Sequence, residues 1–176
     1  QLNQVNSASL PQQYRDYLPA ITLKVNQLTD FLTNLSNHFP AILNLLGDRY
    51  PNRYLILLQN DTEARPTGGF IGSLMILDIN DGYITKADFD DVYKYDGQLN
   101  QTITAPEEIS QITDNWRLRD SNYSPDFAIS AEKAAWFLQK SKGPSVDTVI
   151  AINQSMIADI LNEIGPIEVN PLKAKI

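Results

Sequence analysis

The chain contains no cysteine. Disulfides, thiolate nucleophiles and Cys-built zinc sites are therefore excluded. It contains a single histidine, His38, so a His-rich metal centre or a Ser-His-Asp triad has too little material. His38 closes a helical pattern, where an imidazole caps or is solvated. No run of about 18 apolar residues occurs, so nothing within these residues reads as a bilayer span. Basic residues are outnumbered: 14 Lys and Arg stand against 21 Asp and Glu, a net charge of -7. That balance argues against a nucleic-acid binder, although it leaves room for a small basic pocket. Neither a Walker A loop nor a Rossmann glycine fingerprint is present. Asp88, Asp90 and Asp91 lack the spacing and the closing Glu of a calcium loop, and read as a charged strand face.

What is present suits one domain with a proper core: 176 residues, 43% apolar. Both ends read as cuts in a longer protein. Many Asn and Gln beside no Cys suit an extracytoplasmic bacterial domain. Tyr14, Leu18, Ile21, Val25, Leu28, Leu32, Leu35 and Phe39 recur at alternating steps of four and three. This seam predicts a helix from about Leu18 to Phe39. The seam either packs on its own domain, burying Leu28, or serves a coiled-coil stalk or partner helix. Pro40 to Leu46 reads as a separate short helix ended by Gly47. Residues 1–50 thus form a helical lead-in and 51–176 an α/β domain.

Strands are predicted at 53–60, 70–79 and 83–95, the last two joined by an Asp81-Gly82 hairpin turn. Residues 96–128 form a long loop with a short helix near Pro106 to Ile112. Trp116, Tyr123 and Phe127 are its expected anchors. Ser130 is expected to cap a helix reaching Ser141, stopped by Gly143-Pro144. A strand at 146–152, a helix capped by Asn153 and ended by Gly165-Pro166, and a strand at 167–169 complete the reading. The whole is a three-layer α/β/α sandwich around a mixed central sheet.

Two polar constellations carry chemistry. Asn60, Asp61, Glu63 and Arg65 follow the first strand. Arg binds phosphate oxygens through its planar fork, while Asp61 and Glu63 are candidates to hold Mg²⁺ or act as base. The same residues also suit a loop held by a Glu63–Arg65 pair. Arg117, Arg119, Asp120 and Asp126 lie in the long loop, as a polyanion grip or as surface charge. Arginines at two separate segments of an acidic chain suggest a focused basic pocket. Gly68-Gly69 reads as a tight turn or bulge.

Gln59, Asn60, Glu63, Arg65, Gly68, Gly69, Phe70, Ile71 and Gly72 resemble the signature of a bacterial family known as domain of unknown function 4012. Its later elements are matched by Asp120, Asn122, Pro125, Asp126 and Phe127, and by Val146, Asp147, Val149, Ile150, Ala151, Gly165 and Pro166. The resemblance implies a membrane helix before the lead-in and an outer, cell-surface placement. The order of elements is more distantly similar to the LytR–CpsA–Psr family, which transfers glycopolymers from a polyprenyl-pyrophosphate carrier. Asp61, Arg119-Asp120 and the 146–169 unit carry that likeness.

By that resemblance Arg65, Arg117 and Arg119 would hold pyrophosphate. Asp61 or Glu63 would hold Mg²⁺, Asp120 or Asp126 would serve the acceptor hydroxyl, and an apolar groove would take the polyprenyl-phosphate glycolipid's tail. Glycopolymer phosphotransfer in the cell envelope is the activity implied. The alternative is a non-catalytic adhesion or assembly domain on the same scaffold.

Overall fold

In the computed structural model, which describes Pro11 and residues 17–165, the apolar run Tyr54–Leu58 lies inside the central strand of a four-stranded sheet. Strands β1 (Asn52–Asn60), β2 (Phe70–Asn80), β3 (Tyr83–Asp91) and β4 (Thr148–Asn153) stand in the order β3-β2-β1-β4. β1 pairs antiparallel with β2 and parallel with β4, so the sheet is mixed as expected. A strand with neighbours on both sides needs apolar residues on both of its faces. Tyr54, Leu55, Ile56 and Leu57 are accordingly all buried.

Period two sorts these residues. Leu55 and Leu57 share a face with Leu74 and Ile76 of β2 and with Val149 and Ala151 of β4. Helices α2 (Val92–Asp96) and α3 (Phe127–Lys140) and the loop between them cover that face through Val92, Trp116, Leu118, Ala134, Phe137 and Leu138. The Trp116 ring meets Tyr123 and Phe137 edge-on, with centroids 5.0 and 5.1 Å away. The opposite face carries Leu58 and Ile152, over which helix α4 (Gln154–Ile164) sets Ile157. Helices thus flank the sheet on both sides, the α/β arrangement read from the sequence.

The β2–β3 hairpin turns at Asp81 and Gly82, whose φ values of 50° and 77° are those of the expected turn. Gly72 is the extra residue where the β1–β2 register shifts beside Leu58 and Gln59, a β-bulge.

Several expectations are corrected. The third strand ends at Asp91, not Tyr95: the Asp91 carboxylate accepts from Tyr93 N at 2.8 Å and caps α2. The helix near Pro106 shrinks to a single 3-10 turn, Glu107–Ile109. Asp126, not Ser130, caps α3, accepting from Ala128 N at 2.9 Å. Ser130 is buried one turn later and exchanges hydrogen bonds with the backbone of Ser124. In the long loop Trp116 is buried as expected, but Phe127 is exposed. Leu99, Ile109 and Leu118 do the anchoring. The expected strand at 167–169 lies outside the described residues.

The lead-in departs furthest. Helix α1 runs unbroken from Leu18 to Leu45, straight through Pro40. Ser36, whose carbonyl loses the Pro40 partner, is exposed, so solvent can reach that carbonyl. The expectation that the seam is buried fails: no residue of α1 is buried, and Leu28 is 56% exposed. The helix end is fixed to the domain. Gly47, at φ 76°, closes a Schellman motif, with Asp48 N donating to Leu43 O. Asp81 N then donates to Gly47 O and Gly82 N to Leu46 O, while the Tyr54 hydroxyl donates to Leu45 O.

Candidate functional site

Four segments meet at the end of the sheet where β1 stops. The first is the loop after β1, residues 61–69. Gly69 makes its return possible: a Cβ there would lie 2.5 Å from Asn60 O, and its φ is 153°. The second is the 3-10 turn Leu118–Asp120 with the residues after it. The third is the end of α2, and the fourth is the start of α4.

A polar network joins them. Gln59, buried at the end of β1, donates through Nε2 to Thr67 Oγ1 at 2.8 Å. Asn122, also buried, donates to the same oxygen at 2.9 Å and to Gly69 O at 2.8 Å. The two signature amides therefore clasp the glycine turn from either side. The carbonyl oxygens of both amides, Gln59 Oε1 and Asn122 Oδ1, have no partner in the structure.

The charged part is a chain of five groups. Glu63 Oε1 lies 2.8 Å from Arg65 Nη2, which stands 3.9 Å from Asp120 Oδ1. Arg119 Nε lies 3.4 Å from Asp120 Oδ2, and its Nη1 lies 3.0 Å from Asp96 Oδ2. Arg65 and Arg119, distant in sequence, thus converge on one carboxylate. Each also covers an aromatic ring: Arg65 that of Phe70 at 5.4 Å, Arg119 that of Tyr93 at 5.5 Å. Arg117 donates to the carbonyls of Asp96 and Leu99 at 3.3 and 2.8 Å. The segment is fixed further by Trp116 Nε1, which donates to Asp120 O at 2.9 Å.

Asp96 is the member the sequence reading missed. It is 6% exposed and accepts from Leu118 N at 2.9 Å as well as from Arg119. The signal was present: a Val-Tyr-Lys-Tyr-Asp run after a capping Asp puts an acid at the inner end of a single helical turn. Burial pushes the Asp96 and Asp120 carboxyls above the ordinary range, opposed by Arg119 in both cases and by Arg65 at Asp120.

Three carboxylates, Glu63, Asp96 and Asp120, thus accompany three arginines. The cluster is charge-balanced rather than the net basic pocket expected from residue types. The remaining candidates stand apart. Asp61 accepts from Ser155 N at 3.3 Å and caps α4 from a neighbouring loop, and its carboxyl is held below the usual carboxylate range by the Ser155 side chain first and by that backbone bond second. Asp126 caps α3. Asp61 and Glu63 are engaged by different partners. Among the described residues no group of three or more His, Asp or Glu is arranged to hold a metal.

Beside this end, between the sheet and α4, lies a cavity of about 350 Å³. Leu58, Gly72, Phe89, Ile152 and Ile157 form its apolar wall, and Asn60, Asn153 and Gln154 form its polar rim. A Cβ added at Gly72 would meet nothing within 4 Å, so this wall is open. The rim continues directly into the Asp61–Arg65 loop, which is bonded to α4 one residue beyond Gln154.

The fold and this signature define an α/β domain with a clasped glycine turn. The family model described as protein of unknown function (DUF4012) matches residues 50–175, and the chain belongs to that family. Comparison with curated proteins and with solved structures found no match.

Proposed function

We propose that this domain binds an amphipathic phosphate-bearing ligand of the polyprenyl-phosphate glycolipid kind at the outer surface of a bacterium. The supporting observation is the juxtaposition of an apolar groove with the arginine-bearing loop at one sheet end. Ligands of open α/β sheets commonly bind beyond the carboxyl ends of parallel strands, here β1 and β4. The tail would lie against Leu58, Ile152 and Ile157. The phosphate would draw Arg65 from Glu63. Arg119 and Arg117 would likewise reach it only by leaving Asp96 or the loop carbonyls. Mg²⁺ enters this reading only as the ion a pyrophosphate brings with it.

Phosphotransfer, on the distant LytR–CpsA–Psr likeness, is the further step. Asp120 is the better placed of the two acids for the acceptor hydroxyl, because Asp126 is used as a helix cap. The second reading is a non-catalytic adhesion or assembly domain. It is favoured by one observation: all three arginines already have partners within the chain.

Calorimetric titration with farnesyl pyrophosphate, and separately with inorganic pyrophosphate, tests the proposal. The lipid is expected to bind more tightly than the inorganic ion. Gly72→Leu, which fills the groove from a position with open space, is expected to remove that advantage. Arg65→Ala is expected to weaken both ligands by about ten- to a hundredfold, the value of a charge-assisted bond. No binding of farnesyl pyrophosphate, or equal binding by wild type and Gly72→Leu, leaves the adhesion or assembly reading.

A further inference from the structure

Helix α1 presents a long apolar seam that none of the described residues buries. From Leu18 the steps run three, four, three, four through Ile21, Val25, Leu28, Leu32, Leu35, Phe39, Ile42 and Leu46. Each side chain from Ile21 to Leu46 is 37% to 56% exposed. The period is 3.5 and holds for four heptads. A straight helix laid on a globular surface drifts about 20° per heptad from such a repeat, whereas a helix wound on another helix follows it. The repeat therefore says what kind of surface covers the seam: a second helix.

The flanks say which one. Between residues 18 and 45 the only charged side chains are Lys24 and Asp30. The positions beside the seam are Thr22, Lys24, Thr29, Phe31, Ser36, His38, Leu43 and Leu45. Different partners are ordinarily sorted by charges at these flanks. A seam without that code does not reject its own copy, and no like-charged pair opposes that match.

We infer that two copies of this chain pair through α1, antiparallel, about a two-fold axis near Asp30. The apolar layers then close evenly: Leu18 meets Ile42 of the partner subunit, Ile21 meets Phe39 of the partner subunit, Val25 meets Leu35 of the partner subunit, and Leu28 meets Leu32 of the partner subunit. Phe31, 61% exposed and off the seam, comes beside its own copy. The two α/β domains, each fixed at the end of its α1 through Leu45–Gly47, fall at opposite ends of a helix pair about 42 Å long. About a dozen residues a side meet, fewer than in an interface of standard size, so the dimer is concentration-dependent.

Sedimentation velocity of the whole chain across a dilution series tests this. A reversible monomer–dimer equilibrium is expected. Leu28→Glu/Leu32→Glu is expected to remain monomeric throughout, with the melting curve of the dilute wild type, because neither residue is buried in the protomer. The chain has no native cysteine, so single-cysteine variants report geometry cleanly: Phe31→Cys is expected to cross-link under oxidation and Leu18→Cys is not. A wild type that is monomeric at every concentration overturns the pairing, as does a double-Glu variant that still dimerises. Cross-linking of Leu18→Cys as readily as Phe31→Cys overturns the antiparallel geometry.

Discussion

The two ends of this molecule solve opposite problems. At the sheet end, Glu63, Arg65, Asp120, Arg119 and Asp96 are satisfied within one protomer. On α1 ten large apolar side chains are left facing water. The polar end carries groups that are costly to bury, and the protomer spends hydrogen bonds to hold them. The helix carries groups that gain from burial, and the protomer gives them none. Burial of a charge is thus a better guide to what the fold must keep than burial of a Leu. Substitutions in the two regions should differ in cost by several kcal/mol, in the reverse of the order their hydrophobicity suggests.

The largest effect is expected at the polar end. Asp96→Ala removes the acceptor of Leu118 N and the partner of Arg119 inside the domain. A loss of about 3–5 kcal/mol in chemical denaturation is expected, the usual cost of stripping one member from a buried ion pair. A loss below ~1 kcal/mol would show that water already screens this network and would erase the contrast. An intermediate effect is expected where one polar bond serves one helix. Asp126→Ala deletes the cap of α3 and should lower stability by about 1 kcal/mol. An unchanged midpoint would mean that Ser124 or solvent replaces the cap.

The smallest effect is expected on the seam. Leu28→Ala, measured where protomers are dilute, should shift stability by less than ~0.5 kcal/mol, as for an exposed site. A loss of about 2–5 kcal/mol would place this Leu in a core of the protomer and break the comparison.

Much of the domain was legible in its residues. The two apolar runs, the Asp81-Gly82 turn, the Gly47 stop and the α3–β4–α4 succession follow from periodicity and punctuation. The misreadings share a cause. Asp91 and Asp126 were read for their charge, as strand surface and as acid, but each serves as a helix cap. A short polar side chain before a helical turn serves the backbone first. Pro40 was read as a break, but a proline inside a solvated helix strands only a carbonyl that water can reach. The convergence of Arg65 and Arg119 was anticipated. Of the carboxylates that accompany them, Glu63 and Asp120 were named and Asp96 was not, because it comes from a helix too short to show a period. The seam was recognised correctly as helical. Nothing in a repeat says whether its partner belongs to the same protomer.

The position of β1 has a consequence for how the chain is made. Asp147 N donates to Arg53 O, and Arg53 N donates to an Asp147 carboxylate oxygen, a pairing across 94 residues. One edge of the most apolar strand can close early against β2, but the other stays open until β4 has been synthesised. At about 5–20 residues per second that interval is roughly 5–20 s. Through it Leu55 and Leu57 stand beside a bare row of peptide groups, a template for unwanted pairing. The nascent domain is thus most exposed to aggregation between the emergence of its first strand and its last described one, the window in which chaperone capture would act.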